Sequence, residues 1–206
     1  MIVEYATDQP VGRQHPWSVV VANPTDRYVD FKAHPEQIPL ALPDFIPWAH
    51  YPAIQTFYAL LSWLNGPDSA FESNDCGLRP PRQDHNAPDV IRAGFAGDPV
   101  VMHARLTFIF RDLAWNASAP TVDGLKTSIH DGLRDNVPDA VAVVKVGDWA
   151  HFFTEIDRPG RAVILYGWAW GKDEAAAMAQ LDFTFAAIHG CLRWISDSVR
   201  GERPAG

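Results

Sequence analysis

The C-terminal part of the chain carries a long helical pattern that limits the possible folds more than any other feature. From about Lys172 to Val199, apolar residues recur at alternating intervals of three and four, which places them on one face of an α-helix. Asp173 and Glu174 suit the first turn of such a helix, and Gly201 suits its end. The spacing predicts one long helix with a buried seam made of Met178, Leu181, Phe185, Ile188, Leu192, Ile195 and Val199.

Two further helices are predicted upstream. Pro52 is well placed as the first residue of a helix that stops at Asn65-Gly66-Pro67, because proline suits the first helical position and a glycine-proline pair ends a helix. Thr121 can cap a second helix, which Pro138 ends. The apolar positions of this second helix again step by three and four, at Val122, Leu125, Ile129 and Leu133.

Strand patterns surround the second of these helices. Residues 100–111 alternate with period two, so Met102, Ala104, Leu106, Phe108 and Phe110 share one face. Three β-rich runs follow the helix at 140–146, 149–156 and 162–170. Gly147-Asp148 and the sequence at 157–160 have turn chemistry, which predicts a three-stranded antiparallel meander.

The element order predicts an α+β fold, in which a mainly antiparallel sheet forms one layer and helices pack on one of its faces. A length of 206 residues, 47% of them hydrophobic, fits a single domain spanning 1–206. Eight of the 17 prolines fall by residue 52, so we expect residues 1–51 to form an irregular segment that covers the core, with Trp17–Ala22 as its clearest strand. Residues 52–199 supply the helices and the sheet.

Composition narrows the class of partner. The formal net charge is −8 and no run of Lys or Arg occurs, which argues against nucleic acid and anionic membranes as partners. The 13 Arg against 4 Lys indicate a high-GC bacterial genome. The first residues lack the basic and apolar regions of a signal peptide, so we expect a cytoplasmic protein with two free thiols. Nucleotide-binding and common hydrolase motifs are missing from the sequence, and we predict no cofactor.

A polar segment at 71–86, broken by Pro80-Pro81, predicts a functional loop that is neither helix nor strand. Cys76 could be a nucleophile with His85 as its base, since nearby cations favour a thiolate. The commoner role of a free cysteine is that of a small buried apolar residue. Arg79 and Arg82, with Asp75 beside them, could orient a carboxylate or phosphate. The same arginines could instead pair with the acidic residues of the segment, which are Glu72, Asp75, Asp84 and Asp89.

A second candidate site lies on the predicted sheet. His103 and Arg105 fall on the strand face opposite the core, and His151 and Glu155 share a side of a later strand. If Tyr166, Trp168 and Trp170 lie on the same face, these residues form an aromatic and charged concavity for a small organic ligand. In the alternative, the tryptophans pack under the long helix and the polar residues face water, because strand register is not fixed by the sequence.

These patterns leave several functions open. The leading hypothesis is a domain that binds a small ligand or a protein partner and has no identifiable catalytic motif. The alternative is a thiol or acid-base hydrolase or transferase that uses Cys76 and His85 on an anionic substrate, so enzymatic activity is undecided. No histidine pair has zinc-site spacing, and we predict no metal site. The many aromatic residues favour a homodimer, with the C-terminal helix around Trp194 as one possible seam.

Overall fold

In a computed structural model, strands from both halves of the chain form one sheet, and helices pack on one of its sides. The structure describes residues 1–6, 13–16, 29–83, 95, 98–136 and 140–201. The strands of the sheet are β1 (Ile2–Tyr5), β2 (Arg13–His15), β3 (Phe71–Gln83), β4 (Val100–Phe110), β5 (Ala142–Phe153) and β6 (Arg158–Gly171). The α-helices of the described ranges are α1 (Pro52–Asn65), α2 (Leu113–Asn116), α3 (Ala119–Asn136) and α4 (Glu174–Gly201).

The sheet is mixed but mainly antiparallel. Its order is β1-β5-β6-β4-β3, and β2 also pairs with β5. Strands β3, β4, β6 and β5 are antiparallel neighbours, whereas β1 and β2 both run parallel to β5. This arrangement, with helices on one face, confirms the predicted α+β class.

The main core lies between the sheet and the helices α1, α3 and α4. Helix α4 buries its seam from Met178 to Ile195, and the last predicted seam residue, Val199, packs partly buried against the core. Helix α1 begins at Pro52 and ends at Asn65. The core-facing residues of β4 are also buried as predicted, so periodicity located these three elements correctly.

The N-terminal segment combines short strands with irregular chain. Two short 3-10 helices, Pro35–Gln37 and Pro43–Trp48, present Ile38, Leu42 and Phe45 to the core. The Phe45 ring stacks on Phe57 of α1 with 4.9 Å between ring centroids. The expectation of a covering segment therefore holds for residues 35–48, although β1 and β2 were not predicted. The predicted strand Trp17–Ala22 lies outside the described residues.

The prediction that residues 71–86 are irregular was wrong for 71–83, which form strand β3. This strand lies at an edge of the sheet, and its pairing with β4 shifts register between Ser73 and Asp75 and again between Arg79 and Arg82. Pro80 and Pro81 occupy the second shift. Edge strands and bulges tolerate proline, because the missing N–H groups are not needed there, so the two prolines do not end the strand.

Both turns of the predicted meander differ from the structure: the first is absent, and the second lies three residues earlier than predicted. Gly147 and Asp148 are not a turn but lie inside the continuous strand β5. A Cβ atom added to Gly147 would approach the Cβ of Ala6 to 2.9 Å, so the glycine permits close approach of the chain after β1. The true turn, Thr154–Asp157, connects β5 to β6 as a hairpin, with Asp157 at a φ of 51°.

Helix α3 begins two residues before the predicted cap. Ser118 precedes the helix, and its Oγ accepts a hydrogen bond from the Thr121 backbone N–H at 3.4 Å. Thr121 therefore sits in the first turn, and Ser118 takes the capping role. The predicted apolar positions of α3 are buried, as expected: Val122, Leu125, Ile129 and Leu133.

Helix α4 is long and apolar enough, by length and composition, to cross a membrane, with a mean hydropathy of 1.2 over its best 18-residue window. The core helix of a globular domain meets the same criterion, so this is weak evidence of a membrane span. The helix packs one face against α1, α3 and the sheet. Its opposite face exposes the large apolar side chains of Phe183 and Trp194.

Candidate functional site

The face of the sheet opposite α1, α3 and α4, here called the outer face, carries polar residues between two apolar clusters. At one end Val101, Val143 and Trp170 pack together. At the other end Ile109, Phe153 and Ala162 pack with Leu113 of α2. The polar residues between them come from β2, β3, β4, β5 and β6, because residues paired directly across neighbouring strands point to the same side.

One group on this face, here called the sheet-face patch, combines arginines with aromatic rings. Its residues are Arg79, Arg82, His103, Arg105, Lys145, Tyr166 and Trp168. Cross-strand pairing places Arg79 beside His103 and His103 beside Trp168. The next row contains Arg105, Tyr166 and Lys145. The residues of the sheet-face patch are at least partly exposed, and Arg79 and Arg82 are the most open to solvent.

The rings of the sheet-face patch lie nearly parallel. The centroids of His103 and Trp168 are 4.7 Å apart at an interplanar angle of 20°, and those of His103 and Tyr166 are 6.0 Å apart at 17°. The Nζ of Lys145 lies 5.2 Å from the centre of the Trp168 ring. Such rings offer a surface on which another planar group can stack, and cations beside them strengthen the attraction of an anion.

His103 is neutral at physiological pH in this setting. Burial, together with the nearby charges of Arg79, Arg105 and Arg82, lowers the pKa of His103 to about 4. Its Nε2 is buried and has no protein hydrogen-bond partner among the described residues. The neutral ring therefore contributes a hydrogen-bonding atom and a flat surface to the patch while the arginines supply the charge.

A second group fixes Arg105 at the middle of the outer face. The Asp75 carboxylate accepts from Arg105 Nη2 at 2.9 Å and pairs with Arg13 Nη1 at 3.1 Å. The guanidinium carbons of both arginines lie over the Trp149 ring, at 5.0 Å for Arg13 and 5.4 Å for Arg105. A Cβ atom on Gly77 would lie 3.4 Å from Arg105 Nη2, so the glycine gives the guanidinium room to lie across β3.

This group contains further buried polar atoms that the chain does not satisfy. Thr107 is fully buried and Trp149 is 4% exposed. The Thr107 Oγ1, the Trp149 Nε1 and the Arg105 Nε have no protein hydrogen-bond partner within the described ranges. Native proteins leave few such atoms without water or a ligand. The three residues share the middle of the outer face, where water or a ligand is the expected partner of these atoms.

A third group links two buried histidines through Asn74. The Asn74 Nδ2 donates to His151 Nε2 at 2.6 Å, and the His15 Nδ1 lies 3.3 Å from Asn74 Oδ1. The His15 Nε2 lies 3.4 Å from a carboxylate oxygen of Glu72 and 3.4 Å from one of Glu155. Burial, with the neighbouring charges of His15 and Arg13 as lesser causes, lowers the pKa of His151 to about 4.

The predicted sheet residues thus share one face but occupy two regions of it. His103, Arg105 and Trp168 lie together in the sheet-face patch. His151 is eight residues farther along β5 than Val143, the residue paired with Trp168, which corresponds to about 26 Å of strand. Glu155 lies in the hairpin turn beyond it. Trp170 is 2% exposed and belongs to an apolar cluster of the outer face, so it is packed but does not lie under the long helix, where the alternative interpretation expected the tryptophans.

The structure places the predicted nucleophile away from the outer face. Cys76 is paired with Leu106, whose side chain is in the main core, and Cys76 packs against that core. Burial, and then the adjacent Asp75 carboxylate, raise the pKa of the Cys76 thiol well above its usual range. These surroundings oppose thiolate formation. The proposed base, His85, lies outside the described residues.

The described parts of the chain contain no group of three His, Cys, Asp or Glu side chains arranged to hold a metal ion. Asp84, His85 and Asp89, which place two carboxylates near an imidazole in the sequence, lie outside those parts. Arg13 and His15 were not predicted as site residues. A three-residue strand between prolines is too short for a clear periodic pattern, and it pairs with a strand more than 130 residues away. The alternation of Arg13 and His15 about Gln14 is the one signal present.

Comparison of the chain with protein-family models, with curated proteins and with solved structures found no match.

Proposed function

We propose that this protein binds a small ligand that carries a planar ring and an anionic group, and that the ligand occupies the sheet-face patch. The observation that supports the proposal best is the convergence of Arg79, Arg82 and Arg105 on a neutral His103 beside the rings of Tyr166 and Trp168. Fold class alone does not indicate a function, so the proposal depends on this group of residues.

The charge of the patch favours an anion. Arg105 already shares the Asp75 carboxylate with Arg13. Within the described residues, no carboxylate lies within ion-pair distance of Arg79 or Arg82. Guanidinium groups bind carboxylate and phosphate through paired hydrogen bonds. A bound anion would therefore balance charges that the neighbouring strands leave uncompensated.

The rings of the patch favour a planar partner. Tyr166, Trp168 and His103 present near-parallel rings on adjacent strands. Since His103 stays neutral, stacking on it does not require burial of another charge. The partly exposed rings lie within reach of the arginines, so one molecule can contact both. A ligand with both a planar ring and a negative charge fits the patch better than a ligand with only one of these properties.

Three probe molecules separate these contributions: benzoate carries ring and charge, inorganic phosphate carries charge, and benzyl alcohol carries the ring. Isothermal titration calorimetry should give a tighter dissociation constant for benzoate than for either of the others. Arg79→Ala with Arg82→Ala should weaken benzoate binding by about tenfold, since hydrogen bonds between charged groups contribute roughly 1.5–3 kcal/mol. Phenyl phosphate in the same titration distinguishes a carboxylate preference from a phosphate preference.

Arg158→Ala is a matched control, because Arg158 is exposed and begins the same strand that carries Trp168. It removes one positive charge about 33 Å along β6 from Trp168. Equal losses per removed charge in the Arg79/Arg82 variant and in the Arg158 variant would indicate general electrostatic attraction. Equal affinity of the wild type for benzoate and benzyl alcohol would contradict an anion site.

A further inference from the structure

Between Ala179 and Trp194, helix α4 is apolar on two opposite faces, and its own domain covers one of them. The outward positions Ala179, Phe183, Ala186, Gly190 and Trp194 recur at intervals of three and four and are exposed. The charged residues Arg193 and Asp197 are exposed beside this stripe and beyond its end. Phe183 is 54% exposed and Trp194 is 65% exposed. A surface helix normally has charged residues opposite its buried stripe, and a helix that is apolar all round is normally buried on all sides. The outward face of α4 thus has the composition of a covered surface.

The neighbouring helix adds a surface without charged residues. None of the 14 residues of α1 is charged, and its outward positions include Gln55, Ala59 and Ser62. Helix α1 is fixed beside α4, because Thr56 donates to the Asp182 carboxylate at 2.6 Å and the Trp63 and His189 rings lie 5.2 Å apart. The two helices form one outward surface, here called the helix face. Low charge with exposed aromatic residues is typical of the centre of a protein interface.

Gly190 leaves room for close contact on this surface. A Cβ atom added to Gly190 would meet no atom within 4 Å, so packing within the subunit does not require a glycine there. A Cβ atom added to Gly124 of α3 would likewise meet no atom within 4 Å. Glycine weakens the interior of a helix relative to alanine. By contrast, Gly132 of α3 has a packing reason, because a Cβ there would lie 2.9 Å from the Cys191 Sγ. The small residue at position 190 suits the approach of another backbone from outside.

We propose that the helix face binds a second copy of this chain, with the two α4 helices antiparallel and crossing near Ala186 and Gly190. Phe183 and Trp194 lie on either side of these small residues, 11 residues or about 16 Å apart. A two-fold axis at the crossing would bring Phe183 of each copy against the Trp194 position of the other, at both ends of the contact. Such a self-complementary arrangement is what a two-fold dimer requires.

Charge distribution supports the antiparallel direction. Asp182 lies near the Phe183 end of the stripe, and Arg193 lies near the Trp194 end. Antiparallel helices place the acidic residue of each copy beside the basic residue of the other, whereas parallel helices would bring like charges together. The pairs lie beside the α4 stripe, and Asp182 lies on the side that faces α1.

The size of the helix face is sufficient for a dimer. From Ala175 to Trp194 the helix rises about 29 Å, and two packed helices are roughly 20 Å wide. The product is on the order of 600 Å² per copy, which reaches the lower limit for stable interfaces. This contact lies on the opposite layer from the sheet-face patch and goes beyond the proposed ligand binding, so either proposal can fail without the other.

Gly190→Leu tests the interface with little risk to the fold, because the added side chain has open space within the subunit. Sedimentation velocity between about 1 and about 100 μM should show a dimer for the wild type and at least about tenfold weaker association for Gly190→Leu, with an unchanged or higher melting temperature. Leu40→Glu, which changes an exposed leucine on the N-terminal segment, should leave association unchanged. A monomeric wild type at the highest concentration, or a Gly190→Leu variant that dimerises normally, would overturn the proposal.

A mixing experiment tests the antiparallel arrangement. Phe183→Glu and Trp194→Arg should each weaken the homodimer, because each buries a charge at both ends of the contact. Their mixture should restore dimerisation, since the introduced carboxylate then meets the introduced guanidinium at one end while the native aromatic pair remains at the other. Failure of the mixture to associate more strongly than either variant would reject this geometry. A wild type that stays monomeric and floats with phosphatidylglycerol vesicles would overturn the dimer and assign the helix face to a lipid surface instead.

Discussion

At the residue scale, the candidate site shows which properties of a side chain can be inferred from sequence. Strand alternation correctly placed His103 and Arg105 opposite the core-facing residues of β4. It could not show that Asp75 joins Arg105 to Arg13, since that contact depends on a bulged edge strand and on the parallel pairing of β2. The protonation states of His103 and Cys76 could not be predicted from the sequence either. Burial is the main cause of both pKa shifts, and burial is a property of the fold.

Cys76 should be unreactive despite the arginines near it in the sequence. Because burial raises the pKa of its thiol, little thiolate is present near neutral pH. We expect iodoacetamide to modify Cys76 of the folded protein at less than about a tenth of the rate found after unfolding in urea, measured by peptide mass spectrometry. Cys191 provides a comparison, since burial raises its pKa to about 11. Faster labelling of Cys76 than of a free thiol would restore the nucleophile hypothesis.

His151 should make the fold less stable in mild acid. Its pKa is about 4 in the folded protein and near 6.5 in an unfolded chain, so only the unfolded chain binds this proton between those values. The free energy of unfolding should fall as the pH is lowered through that window, by at most about 1.4 kcal/mol per pH unit from this group.

Urea denaturation of wild type and His151→Gln, from neutral pH down to about pH 4.5, measures this contribution as the difference between the two slopes. The same substitution at the exposed His34 is the control. If the free energy of unfolding falls with pH at the same slope in wild type and in His151→Gln, His151 accepts a proton in the folded protein.

At the element scale, regular periodicity was sufficient to predict the helices and strands that bury only one face. Helices α1 and α4 and strand β4 were predicted within about two residues, because a single face of each meets the core. Strand β3 was missed since Pro80, Pro81 and several charges outweigh its weak alternation, and a sheet edge tolerates all of them. Gly147 was read as a turn because the close approach of Ala6, which is far away in the sequence, is not visible locally.

The buried seam of α4 should contribute most to the stability of the helix layer. Leu181 is fully buried, so Leu181→Ala should lower the free energy of unfolding by about 2–5 kcal/mol through lost burial and a cavity. Leu40 is 74% exposed, and Leu40→Ala should change the same free energy by less than about 0.5 kcal/mol. Chemical denaturation measures both values. Similar effects at the two positions would contradict the assignment of the seam to the core.

At the scale of the whole molecule, the sheet separates two surfaces of different chemistry. The helix side buries a continuous apolar core and presents to the outside a helix face with exposed aromatic residues and few charges. The outer side carries arginines, histidines and partly exposed rings between two apolar clusters. The α+β class followed from element order alone, whereas the meeting of residues from β3, β4, β5 and β6 in one patch follows from strand order, which the sequence did not specify.

The most direct test of ligand binding is a nitrogen-proton correlation spectrum recorded during titration with phenyl phosphate. The indole N–H groups of tryptophans give separate signals, and the chain has eight tryptophans. Binding at the sheet-face patch predicts that the Trp168 signal shifts with saturation while that of Trp194, on the opposite layer, stays unchanged. Arg79→Ala with Arg82→Ala should suppress the Trp168 shift. A saturable shift confined to Trp194, or none at any indole, would contradict ligand binding at the patch.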